Sequence, residues 1–272
     1  MTYCVGIRTK DGLVMGSDSR TNAGYDQVHT CRKMHTFVKP DERAFILTTS
    51  GSLSLSQSIL TLLRRDWDQG TGLAAAPTFY DAARVVGDQV RRLSDIDRQA
   101  LERDEFRFNI HLLLGGQIRG EPPELYLIYP QGNPLRATED SPFLQIGEAK
   151  YGRPILDRGV RYEGTTLEDA AKYALISFDS TMRSNATVGP PIDLVVYRDG
   201  ELRITRHRRL TDKDPDLLEI HQQWEQALRR AVLALPEIRF EQGEPNGAST
   251  QDGRRGTPTR AQPEIGSGRP HS

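Results

Sequence analysis

The sequence predicts an α+β fold of two antiparallel sheets with helices packed outside each. Three observations carry this expectation. Strand patterns come in runs, helix patterns come in runs, and tight Asp-Gly turns join neighbouring strand patterns. That order departs from the strict strand–helix alternation of a doubly wound parallel sheet. A chain of 272 residues makes one large domain or two small ones, and an apolar fraction of 36% supplies a substantial core.

The elements follow in order. Residues 2–9 and 13–19 are rich in Val, Ile, Leu and Met, and Lys10-Asp11-Gly12 between them is a hairpin turn. Residues 20–32 are polar and read as a loop, and 33–39 as a short strand. The apolar run 44–49 ends at Ser50-Gly51-Ser52. A helix then places Leu53, Ile59, Leu60, Leu63 and Trp67 at helical spacing. Gly, Ala and Pro over 70–77 break it. Further helices are expected over 78–94 and 96–103. Three strands follow, over 106–116, 124–132 and 143–147. The segment from Thr166 to about Met182 is a helix, with Thr166 as N-cap and Glu168 and Asp169 in its first turn. Residues 192–202 form a hairpin with a second Asp-Gly turn, and 214–233 form the last helix.

One domain is expected over 2–240. The tail 241–272 holds six Gly, four Pro and few aliphatic side chains, too little to offset its ordering entropy, so disorder is expected there.

Composition narrows function. The net charge is −1, with 36 basic and 37 acidic residues, which gives no electrostatic case for nucleic acid or a membrane surface. The start lacks the basic and apolar regions of a signal peptide, and no apolar run approaches the ~20 residues that span a bilayer. The only cysteines, Cys4 and Cys31, read as free thiols of a reducing, cytoplasmic compartment. The histidines show no metal spacing, and no Gly-rich phosphate loop occurs. No cofactor or metal is expected. The basic cluster Arg203, Arg206, His207, Arg208 and Arg209 reads as a solvated strand edge or a subunit contact.

Four places carry candidate chemistry. Thr2 follows the start methionine, and removal of Met1 would give it a free α-amine beside its own hydroxyl. That amine titrates near ~8, so a nucleophile and a base share one residue. The hairpin returns Asp18 to the start of the first strand, beside Thr2. Lys33 begins the strand expected next to it; its charge lowers the effective pKa of the hydroxyl and favours a neutral amine, while Asp18 holds it in place. Gly51 lies between an apolar strand and a helix N-terminus, where a backbone N–H can meet an oxyanion.

The start TYCVGIRTKDGLVMGSDSR, then Lys33, then TTSGS before a helix, resembles the β subunits of proteasomes and their bacterial relatives, the N-terminal nucleophile hydrolases. It is most similar to the bacterial Anbu family, through MTYCV, KDGLV and SDSRTNAG at 17–24. The likeness runs over about 2–235. It implies a four-layer αββα sandwich in which Thr2 is the nucleophile, Asp18 and Lys33 its partners, and Gly51 the oxyanion glycine. It further implies Asp179 and Ser184 as the supporting acid and serine near the end of a later helix. Proteasomes carry a Gly-Ser-Gly whose serine touches the terminal amine; here the stretch reads Gly147-Glu148-Ala149, and Glu148 can hydrogen-bond an ammonium and keep it charged. The resemblance implies self-association into a ring or an open helical oligomer, and hydrolysis of a peptide or other amide. Two alternatives stay open: an amidase for a small molecule or conjugate, and a catalytically silent assembly protein of the same fold.

Overall fold

The computed structural model describes residues 1–22 and 28–240. The tail expected to be disordered lies outside the described residues, as do positions 23–27 of the expected loop. Contacts divide the chain into a unit Met1–Val232 and a second, Leu233–Ser272. The first unit holds every described strand.

Among the described residues the first sheet is built from β1 (Tyr3–Thr9), β2 (Gly12–Ser17), β10 (Phe143–Gly147), β11 (Ile192–Arg198) and β12 (Arg206–Leu210). They lie in the order β10-β1-β2-β11-β12. The second is built from β5 (Met34–Lys39), β6 (Arg43–Gly51), β7 (Ile110–Ile118), β8 (Glu124–Ile128) and β9 (Pro134–Arg136), side by side in chain order. Every pairing is antiparallel. A small ribbon of β3 (Arg20–Asn22) and β4 (Val28–Thr30) stands where the sequence predicts a loop. The helices are α1 (Leu53–Asp68), α2 (Phe79–Arg103), α3 (Ala149–Gly159), α4 (Leu167–Ser184) and α5 (Pro215–Leu233).

Three apolar clusters define four layers. One joins α1 and α2 to the second sheet through Leu47, Ile59, Leu63, Val86 and Leu112. One joins α3, α4 and α5 to the first sheet through Tyr3, Val5, Ile7, Leu156 and Phe178. The third lies between the sheets and includes Cys4, Leu13, Met15, Ile46 and Leu113. β1 shows the logic. Its alternate residues Tyr3, Val5 and Ile7 face the helices, while Cys4 faces the opposing sheet. All seven residues are buried, which accounts for its lack of a polar face. The αββα sandwich expected from the sequence is the observed fold.

Several boundaries differ. α2 is one continuous helix, N-capped by Thr78, which accepts from the Asp81 amide at 3.2 Å. α3 is absent from the sequence expectation, because Gly152 and Pro154 argue against a helix; Gly152 is needed there, since a Cβ would lie 2.4 Å from the Tyr3 hydroxyl. The strand after the second Asp-Gly turn forms at 206–210, not within 192–202, so the basic cluster lies on and before edge strand β12. Thr166 caps α4 as expected, accepting from the Asp169 amide. No described helix is long and apolar enough to cross a membrane.

Candidate active site

The two-residue turn between β1 and β2 pairs Thr9 with Gly12 and Cys4 with Ser17, so Tyr3 and Asp18 must end opposite one another. They exchange two bonds: the Tyr3 amide donates to Asp18 Oδ1 at 3.0 Å, and the Asp18 amide donates to the Tyr3 carbonyl at 3.1 Å. Tyr3 anchors this end. Its ring meets Phe178 edge-on at 4.8 Å, and its hydroxyl donates to Ser177 Oγ and accepts from Gln145 Nε2. Burying each such ring contributes roughly 1.5–3 kcal/mol, enough to hold a strand that starts at the third residue of the sequence.

Lys33 stands beside Asp18. Its Nζ donates to Asp18 Oδ1 and to the Arg20 carbonyl, both at 2.7 Å. Both side chains are buried. Asp18 Oδ2 accepts from the amides of Arg20 (3.2 Å) and Gly189 (3.4 Å). Burial pushes the Asp18 carboxyl up, and the Lys33 charge with these donors pulls it back. Four donors on two oxygens leave no site for a proton without losing a bond, so the group is a carboxylate.

Glycines bring the remaining walls to Thr2. Gly147, at the end of β10, has φ +83, and a Cβ there would lie 1.9 Å from the Thr2 carbonyl oxygen. That oxygen accepts from the Glu148 amide at 2.7 Å. Gly51, at the end of β6, has φ +114, and a Cβ would meet the Asn109 carbonyl at 2.3 Å. Only glycine fits both positions. The ends of β1, β10 and β6 thus converge with Lys33, and Thr2, Lys33, Gly51 and Gly147 line one cleft of about 1210 Å³. The far wall carries Gln57, Thr61 and Arg64 of α1, and His35. Burial, then the Arg64 charge, pushes His35 down to about 4, so its ring is neutral.

Met1 is half-buried at its amine and also lines the cleft. Burial and then Lys33 hold that amine below its ordinary value, against the opposing pull of Asp18 and Glu148. Cys4 beneath the site is fully buried, which pushes its thiol up to about 12 and leaves it unreactive.

The structure therefore brings together Thr2, Asp18, Lys33 and Gly51. It does not bring Asp179 or Ser184 to them. Asp179 Oδ1 pairs with His221 Nδ1 at 2.5 Å and ties α4 to α5. Ser184 is exposed at the last position of α4. The α4 end reaches the site through the next residue: Asn185 Nδ2 donates to Glu148 Oε2 at 2.8 Å. Asn185 is a site residue to which the sequence reading gives no role, and Gly147 appears there only within the Gly147-Glu148-Ala149 stretch, with no role of its own. The positive φ of Gly147 is the kind of need that a lone glycine after an apolar strand signals. Among the described residues no three His, Cys, Asp or Glu side chains cluster as a metal site.

Comparison with known proteins bears on the family and the fold. The proteasome subunit family model matches residues 2–197. A proteasome subunit beta from Haloferax volcanii is 25% identical over 211 residues, covering 76% of this chain and 77% of its own. Anbu (ancestral beta-subunit) from Yersinia bercovieri superposes with a TM-score of 0.83 at 42% identity, covering 89% of this chain and all of its own. The helical assembly of the Anbu complex from Pseudomonas aeruginosa gives 0.83 at 44% identity, covering 88% and 98%.

Proposed function

The chain belongs to the proteasome subunit family and is of the Anbu type, and from that premise we propose that it is a self-associating N-terminal threonine hydrolase of amide bonds in the cytoplasm. The convergence of Thr2, the Lys33–Asp18 pair and Gly51 in one cleft carries the reading. Loss of Met1 frees the Thr2 α-amine. The Thr2 hydroxyl attacks the amide carbonyl and its proton passes to that amine. The C–O bond forms, the carbonyl becomes an oxyanion, and the Gly51 N–H stabilises it. The C–N bond then breaks, and the leaving amine takes the proton. Water hydrolyses the resulting ester and restores Thr2. Lys33 keeps the amine neutral by its charge, and Asp18 positions Lys33. Self-association is proposed because the Pseudomonas aeruginosa relative is a helical assembly.

A second reading, an assembly protein without turnover, is favoured by one observation. Glu148 raises the proton affinity of the Met1 amine, against the larger lowering by burial and Lys33, and would bear in the same sense on the Thr2 amine once Met1 is lost. One experiment separates the two. Met-free assembled protein is treated with an epoxyketone or boronate probe and its intact mass is read. An adduct on Thr2, absent from Thr2→Ala, is expected. An unmodified Thr2, or a purified assembly that retains Met1, overturns the enzyme reading.

A further inference from the structure

The cleft walls differ from the rest of the surface in charge. The chain as a whole is close to neutral. Yet among the described residues that line the cleft none is Asp or Glu, while Arg32, Lys33 and Arg64 all line it. Lys33 is neutralised by Asp18. Among the described residues Arg32 and Arg64 are in no ion pair, whereas the adjacent Arg65 pairs with Asp66 at 3.5 Å. Arg64 instead donates to His35 Nδ1 at 3.3 Å.

Geometry places this charge near the proposed chemistry. Lys33 immediately precedes β5 and His35 is its second residue, and both line the cleft. Gln57, Thr61 and Arg64 recur at i, i+4 and i+7 on α1 and form the facing wall. A guanidinium hydrogen-bonded to a neutral imidazole, with amide and hydroxyl groups on the same wall, can receive a carboxylate: it offers a charged fork and further donors, and no acidic side chain is among the described residues lining the cleft. A cleft of one sign with low-dielectric walls also concentrates anions at its mouth.

We propose that the substrates of this cleft are anionic, with an acidic side chain (Glu or Asp) on a residue flanking the scissile amide that is received by Arg64 and Arg32. This rests on the hydrolase reading for its direction in the reaction, but the charge preference is testable without turnover. In the full-length, Met-free Thr2→Ala variant, octapeptides carrying Glu at either of the two central positions are compared with their Gln isosteres by fluorescence anisotropy. A Glu peptide is expected to bind roughly ten- to a hundredfold tighter, the size of a charge-assisted bond. The ratio is expected to fall toward one in Arg64→Gln combined with Arg32→Gln, and to shrink with added salt. Equal binding of Glu and Gln peptides overturns the proposal, as does a preference that survives both arginine changes. In parallel, protein with Thr2 intact is given peptidyl-aminocoumarins with Glu or Gln before the scissile bond. A higher kcat/KM for Glu is expected. Absence of any turnover, with the Glu preference retained in binding, sinks the hydrolase reading and leaves the anion site standing.

Discussion

Two carboxylates flank the start of β1, and they are held in different ways. Asp18 receives three backbone amides besides Lys33, from Tyr3, Arg20 and Gly189. Its position is set by the hairpin register and cannot change without unpairing strands. Glu148 has its backbone fixed by the bond to the Thr2 carbonyl, but its side chain is held by other side chains alone. These are Asn185 and Lys150, the latter 66% exposed at 3.4 Å. Backbone donors fix a charge with no rotamer entropy to lose, whereas a side-chain shell can be exchanged. The Asp18 side is thus a rigid support and the Glu148 side an adjustable one. Substitutions on the first should cost both stability and turnover; on the second they should tune the site.

The largest expected effect is Asp18→Ala. It leaves the buried Lys33 ammonium with one carbonyl partner and strands three amides. Breaking such a pair costs about 3–5 kcal/mol. Chemical denaturation should show that loss, and turnover should fall ~10²–10⁴-fold. A variant that keeps wild-type stability would break the claim of rigid support. Gly147→Ala should come next. The added Cβ would push on the Thr2 carbonyl at 1.9 Å, and a misplacement of that kind costs about a hundredfold in rate. Gly120→Ala is its control. Gly120 also has positive φ, +88, but a Cβ there meets nothing within 4 Å. It should lose only about 1–2 kcal/mol of stability and no turnover. Equal rates for both alanine variants would show that the Thr2 carbonyl tolerates movement.

The same contrast explains what the sequence reveals. The hairpin turn between Thr9 and Gly12 dictates that Asp18 faces Tyr3, so three of the four converging residues follow from local register plus one added strand. Gly51 is visible as a break between an apolar run and a helix. Asp179 is misplaced by sequence reasoning because the end of a helix can turn either face inward; packing of α5 against α4 through His221 decides it, and that contact is 42 residues away in sequence. α3 is hidden because its Gly152 and Pro154 lower helix propensity, while the Tyr3 hydroxyl needs the space that Gly152 leaves. The cleft's cationic wall comes from Arg64 on α1 and Arg32 just before Lys33, and their meeting is set by the packing of α1 on the second sheet, not by a motif.

The smallest expected effect is Glu148→Gln, and it is the most direct test of adjustability. The Met1 amine lies in a field where burial and Lys33 lower its pKa while Asp18 and Glu148 raise it, and the same two carboxylates are expected to act in that direction on the Thr2 amine one residue on. Glutamine keeps the shape and the bond to Asn185 but removes one of the two negative charges. The amine then binds its proton less tightly. Since the proposed base is the neutral amine, it stays competent to lower pH, so the acid limb of the kcat/KM profile should move to lower pH with little change at the plateau. Stability should hardly alter, because the backbone bond from residue 148 to the Thr2 carbonyl remains. The comparison sharpens if Asp18→Asn loses the plateau itself while Glu148→Gln only moves the limb. It breaks if Glu148→Gln abolishes turnover, for then the side-chain shell would be as indispensable as the backbone one.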